Sequence, residues 1–240
     1  TYEMPGYGIW VSGGTGNQIV EIPLDHRMDA PAVPCLFGDG RYVASLTHRR
    51  GIALWSTESG ESVWRSRADG FGWINVLLSC RDGAGFLVVG RERGGTQKCR
   101  VELWDVELTE PEMISLPVID GDGALEFPVS ARLSPDGNLL AVTSYRAPHL
   151  FLVDFSESTC VGLQGHGAPP RSLAFSPCGQ RLASGDGAGQ LILWDTVRGS
   201  SVLTLGNHPG AVMGLDFSPD GRFLLCSCED RSLNMYEAVR

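Results

Sequence analysis

Residues 171–196 read RSLAFSPCGQRLASGDGAGQLILWDT, and this stretch decides the fold. Arg171 to Phe175 alternates polar and apolar side chains in the manner of a half-buried strand. Ser176-Pro-Cys-Gly179 then turns the chain, with proline presetting one turn dihedral and glycine accepting a positive one. Gln180 to Asp186 and Gln190 to Thr196 read as the next two strands around a glycine turn, and Ser201 to Leu205 as a fourth. Working outward, the same turn recurs as Ser134-Pro-Asp-Gly137 and Ser218-Pro-Asp-Gly221, 42 residues to either side. Self-similarity at about 40 to 45 residues is the period of propeller blades, small sheets that bury their faces only by stacking on their neighbours. The expected class is all-β, built of four-stranded antiparallel blades whose strands are lettered a to d outward.

Leu193-Trp-Asp195, Leu103-Trp-Asp105, Gly165-His166 and Leu182-Ala-Ser-Gly185 resemble the WD-repeat β-propeller family. The resemblance weakens toward the N-terminus, where Ala53-Leu-Trp-Ser56 keeps strand c but no glycine-histidine precedes it. Leu152-Val-Asp154 and Met235-Tyr-Glu237 stand in altered form at the tryptophan dipeptide. Residues 1–240 read as one β-propeller domain or a fragment of one. Complete copies are expected over 31–67, 74–119, 129–165 and 171–205, with 212–239 lacking strand d and 8–24 supplying only strands c and d. That arrangement suits an incomplete seven-blade ring; the alternative is a closed five-blade ring in which 18–24 supplies the missing outer strand.

The resemblance also implies a buried hydrogen-bond network in each blade: a histidine before strand a, a serine or threonine on b, an aspartate between b and c, and the tryptophan on c. His166, Ser184 and Trp194 match, while Ala188 occupies the expected aspartate position and Asp186 is offset by two. In the last copy His208 and Asp230 match, with Tyr236 in place of the tryptophan and Cys226 in place of the serine. No copy is therefore expected to carry the full set. These residues are assigned to architecture, because an unpaired buried polar group costs about 1 to 3 kcal/mol.

Composition points to a globular chain with 42% hydrophobic and 20% charged residues, its 31 glycines suiting many turns. No stretch approaches the length of a membrane span, and no N-terminal segment resembles a signal peptide. Seven cysteines, an odd number, and the lack of an Asn-x-Ser/Thr sequon favour an intracellular setting, cytoplasmic or nuclear. Cys226 and Cys228 share one side of a strand but lack Cys-x-x-Cys spacing, so they read as small core residues and no metal is expected. Gly13-Gly-Thr-Gly16 and Gly185-Asp-Gly-Ala-Gly189 lack the lysine-serine end of a phosphate loop, and Asp120-Gly-Asp-Gly123 lacks the ligands of a calcium loop. No cofactor, small-molecule substrate or catalytic constellation is expected, so the protein reads as a non-enzyme.

Function then falls to exposed loops. The expected b–c loops hold Arg49, Arg50, Arg91, Arg93, Lys98, Arg146 and Arg231 against Glu92, Asp186, Glu229 and Asp230, a local positive excess on a chain of net charge -9. Such a patch suits an acidic or phosphorylated segment of a partner, since guanidinium forms paired bonds to these anions. Trp73, expected in a d–a loop, is either an aromatic anchor or core filler. The acidic pI near 5.0 speaks against a broad nucleic-acid surface. Two functions follow: a non-catalytic protein–protein interaction scaffold within a multiprotein complex, as the propeller of a larger protein; or a recognition module for an acidic or phosphorylated peptide, or an RNA, through the arginine loops.

Overall fold

A computed structural model describes residues 8–12, 19–23, 34–38, 40–47, 51–80, 85–94, 98–105, 112–114 and 128–237. Among them there is no helix: every regular element is a strand in an antiparallel sheet. Two compact units are present, one over 1–96 and 100–114, the other over 97–99 and 115–240.

The first unit begins with a two-stranded sheet, β1 (Gly8–Ser12) and β2 (Ile19–Pro23). A four-stranded meander follows: β3 (Cys35–Phe37), β4 (Tyr42–Thr47), β5 (Gly51–Ser56) and β6 (Ser62–Arg67). Its second meander is β7 (Phe71–Ser79), β8 (Gly85–Glu92), β9 (Cys99–Asp105) and β10 (Glu112–Ile114). Ile52, Leu54, Phe71, Phe86 and Trp104 from both four-stranded sheets share one core. Trp104 anchors it, with Phe86 stacked at 6.3 Å and Trp64 edge-on at 5.2 Å.

In the second unit β11 (Pro128–Leu133), β12 (Leu139–Ser144), β13 (Leu150–Asp154) and β14 (Thr159–Leu163) form one sheet. The next is β15 (Pro170–Phe175), β16 (Arg181–Asp186), β17 (Gln190–Asp195) and β18 (Ser200–Asn207). The last has three strands, β19 (Val212–Phe217), β20 (Phe223–Cys228) and β21 (Leu233–Glu237). β15 packs against both β11 and β19, so the middle sheet is covered on each face. That is why β16 is buried almost throughout instead of alternating, while the outer strand β18 is largely exposed.

The two Ser-Pro-Asp-Gly turns close in the same way. Ser134 Oγ donates to Asp136 and accepts from the Leu139 amide at 2.8 Å; Ser218 Oγ does the same with Asp220 and Phe223. Gly137, Gly179 and Gly221 all take φ between +69° and +78°, which a Cβ would oppose. A register shift also recurs near the start of the a–b pairings, between Pro128 and Ala131, Pro170 and Ser172, and Val212 and Gly214. This is a WD β-propeller fold at the level of its blades.

Candidate functional site

The most complete polar constellation lies at the end of β16. His166 precedes β15, and its ring reaches Ser184 Oγ through Nε2 at 2.6 Å and Asp186 Oδ2 through Nδ1 at 3.1 Å. Trp194 on β17 donates its indole N–H to the same Ser184 oxygen at 2.7 Å. One proton order satisfies all four groups: the neutral imidazole donates from Nδ1 to Asp186 and accepts at Nε2 from the serine hydroxyl. Asp186 Oδ1 meanwhile accepts the amides of Ala188 and Gln190, which folds the following turn. Every member is buried. Burial pushes the His166 pKa below its usual range, and Asp186 and Gln190 oppose that shift.

The expectation that no copy holds a full set is therefore corrected: Asp186 supplies the aspartate two residues early. The register shift in the β15–β16 pairing places Asp186 at the very end of the ladder, opposite Pro170, where its carboxylate meets the histidine.

The last sheet differs. His208 Nε2 lies 2.9 Å from the Tyr236 hydroxyl and 3.6 Å from Cys226 Sγ, while Nδ1 meets Asn234. Asp230 does not hydrogen-bond His208 here: its Oδ1 accepts the Ser232 amide and hydroxyl, and the side chain is exposed. The residue that sits where Asp186 sits is Cys228. Its sulfur is 3.7 Å from that of Cys226, and burial together with Cys228 pushes the Cys226 thiol up to about 12. Among the described residues, His208, Cys226 and Cys228 are the group whose donor atoms cluster closely enough to hold a metal ion.

In the first unit Trp55 donates to Ser45 at 2.8 Å, the same strand-to-strand bond as Trp194 to Ser184. Trp104 uses a different acceptor, the buried carboxylate of Glu102 at 3.0 Å, which is also held by Arg100 at 2.6 Å. The guanidinium of Arg100 lies over the Phe71 ring and occupies the space a side chain at Gly70 would need. Sequence reasoning missed Arg100 and Glu102, although their alternation with Trp104 puts all three on one face of β9.

Arg49 and Arg50 lie outside the described residues. Arg91 belongs to β8 and not to a loop, and it pairs in register with Trp73, which is itself a β7 residue. Trp73 is 36% exposed, so it is not filling the core. Arg93 is exposed and faces Asp69 at 3.9 Å. Lys98, Arg146 and Arg231 are exposed, and Arg231 adopts φ +70°, unusual for a residue with a side chain. Asp186, counted among the loop acids, turns inward and is fully buried. The exposed Arg171 side chain instead lies beside Gly187 in that turn, a cation that the b–c loop count overlooked.

Comparison with known proteins agrees with this geometry. The WD40 family model, "WD domain, G-beta repeat", matches residues 157–195 and 199–237. Each matched repeat contributes the outer strand of one sheet and the three inner strands of the next, so β14 with β15–β17 and β18 with β19–β21 form the two units of sequence. Ribosome assembly protein 4 of Chaetomium thermophilum is 44% identical over 63 residues, covering 26% of this chain and 12% of that protein. Nuclear distribution protein PAC1 of Arthroderma otae is 23% identical over 198 residues, covering 82% of this chain and 36% of that protein. WD repeat-containing protein 1 of Bos taurus is 24% identical over 204 residues, covering 82% and 32%. The chain carries WD repeats over residues 157–195 and 199–237. It spans about a third of the length of the latter two relatives. Proteins of this family act in general as interaction scaffolds without catalysis of their own. No helix among the described residues is long and apolar enough to cross a membrane.

Proposed function

We propose that the protein is a non-catalytic protein–protein interaction scaffold, the propeller part of a larger intracellular protein that helps hold a multiprotein complex together. The observation that carries this is the use of the buried polar side chains. His166, Ser184, Asp186 and Trp194, and likewise Arg100, Glu102 and Trp104, bond to one another inside the blades, which leaves solvent-facing loops for recognition. The relatives' lengths support placing the propeller within a longer protein. Affinity purification of the full-length protein tests it. Stoichiometric partners retained at raised salt are the expected result, and a lone species, or turnover of a small molecule, overturns it.

A second reading is favoured by one feature of the second unit. Its three sheets carry exposed Arg146, Arg171 and Arg231 at or beside successive b–c turns; of the acids expected there Asp186 is buried, while Glu229 and Asp230 are exposed beside Arg231. These arginines suit an acidic or phosphorylated peptide. Binding of a phosphorylated acidic peptide that weakens as salt rises and drops at least tenfold in the Arg146→Glu/Arg171→Glu/Arg231→Glu protein, with unchanged circular dichroism, is the expected result. Unchanged binding ends this reading, and preferential capture of single-stranded RNA would assign the loops to nucleic acid instead.

A further inference from the structure

The last sheet repeats the buried network of its neighbour at the same spacing with different chemistry. Adding 42 to His166, Ser184, Asp186 and Trp194 gives His208, Cys226, Cys228 and Tyr236. Backbone register agrees with this correspondence. Leu173 faces Ser184 and Pro170 faces Asp186, as Leu215 faces Cys226 and Val212 faces Cys228. Both oxygen groups that address the histidine ring in one sheet are thus sulfur in the next. Such an exchange weakens a hydrogen-bond network, because a thiol is a poor donor and a poor acceptor. It strengthens a metal site, because thiolate and imidazole are ligands of choice for zinc.

The distances are compatible with the second use. Zinc–sulfur bonds of about 2.3 Å and zinc–nitrogen bonds of about 2.0 Å at tetrahedral angles require about 3.8 Å between sulfurs and about 3.6 Å between sulfur and nitrogen. Cys226 Sγ is 3.7 Å from Cys228 Sγ and 3.6 Å from His208 Nε2, and the three donors all lie within 4.8 Å of one another. A disulfide does not explain the pair. The sulfurs are far beyond the S–S bond length of about 2.05 Å, and their residues sit two apart on one extended strand.

We infer that Cys226, Cys228 and His208 Nε2 bind a single zinc ion, its fourth position lying on the side of the Tyr236 hydroxyl. Two thiolates neutralise a divalent charge, which suits surroundings formed by Val212, Leu224 and Leu191. An outer partner for the histidine is within reach, an amide whose Nδ2 also meets Ser232 Oγ at 3.3 Å. Asn234 Nδ2 is 3.3 Å from His208 Nδ1, and rotating that amide by half a turn presents its oxygen instead. The ring proton then belongs on Nδ1, and Nε2 is free to coordinate. Tyr236, 2.9 Å from Nε2, needs only a rotation of its hydroxyl to stop competing for that nitrogen.

Cobalt is the probe, since it enters zinc–thiolate sites and reports sulfur ligation by a charge-transfer absorption. Titration of the purified, reduced protein with Co2+ is expected to develop this band with saturation at one equivalent, and Zn2+ is expected to abolish it. The Cys226→Ser/Cys228→Asp protein carries the neighbouring sheet's own residues at these positions, so it should fold and lose the band. His208→Gln should lose or shift it, and Cys178→Ser, which changes an exposed cysteine elsewhere, should keep it. No band in the folded wild-type protein overturns the inference. So does a band that survives in both the double variant and His208→Gln. Cys226 and Cys228 would then be core filler.

Discussion

Trp104 donates its indole N–H to Glu102 across 3.0 Å, and both side chains are buried. A carboxylate in that position has lost most of its hydration and needs a counter-charge. Arg100 supplies it at 2.6 Å while its own side chain is partly in solvent.

Removing Arg100 therefore strands a buried charge. Arg100→Ala is expected to lower the unfolding free energy by about 3 kcal/mol. Adding Glu102→Gln should recover part of that loss, since an amide still accepts from Trp104 and carries no charge. Urea denaturation of both proteins checks this. A double variant no more stable than Arg100→Ala would show that packing over Phe71, and not charge, sets the cost.

Ser184 and Ser45 separate a shared acceptor from a simple one. Ser184 Oγ serves both Trp194 and His166, whereas Ser45 Oγ accepts from Trp55. Ser184→Ala leaves two buried ring nitrogens without that partner and should cost about 2 to 3 kcal/mol; Ser45→Ala should cost about 1 kcal/mol. Equal losses in chemical denaturation would contradict the idea that the four-residue network adds to a single tryptophan–serine bond.

His166 makes stability depend on pH in one direction. Burial is the largest influence on it and lowers its pKa from 6.5, with the Asp186 hydrogen bond and charge opposing. An unfolded chain then takes up the proton at a higher pH than the folded one. The stability contributed by the neutral ring is complete above pH 6.5 and is lost as pH falls from there toward the lowered folded value. Thermal melts from about pH 7 to about pH 5 should fall less steeply for His166→Gln than for the wild-type protein. Parallel slopes would mean that exposed carboxylates, not His166, govern this range.

Several features were legible without coordinates. The strand order around Ser176-Pro-Cys-Gly179 could be read because each element has a local cause: alternation for β15, a proline–glycine turn, then apolar β16 and β17. His166, Ser184 and Trp194 were found because their motif places them at repeating intervals. Asp186 was passed over because alignment to the tryptophan counts residues along β17, whereas the carboxylate is brought to the ring by the register shift between β15 and β16. Asp230 was favoured for the reason that excluded Asp186, and its carboxylate closes its own turn on Ser232. Arg91 and Trp73 were assigned to loops because the sequence does not mark how far β7 and β8 extend.

By itself the sequence determined the all-β class, the 42-residue period and the turns, since these depend on side-chain alternation and on the dihedrals that proline and glycine permit. Only the tertiary structure decided which polar groups meet. His208 lies 18 residues from Cys226, and hydrogen bonds and coordination depend on separations of a few ångströms that arise when one sheet's loop folds over the end of another strand. Chain spacing carries the repeat, but contact between side chains exists only after the sheets have stacked.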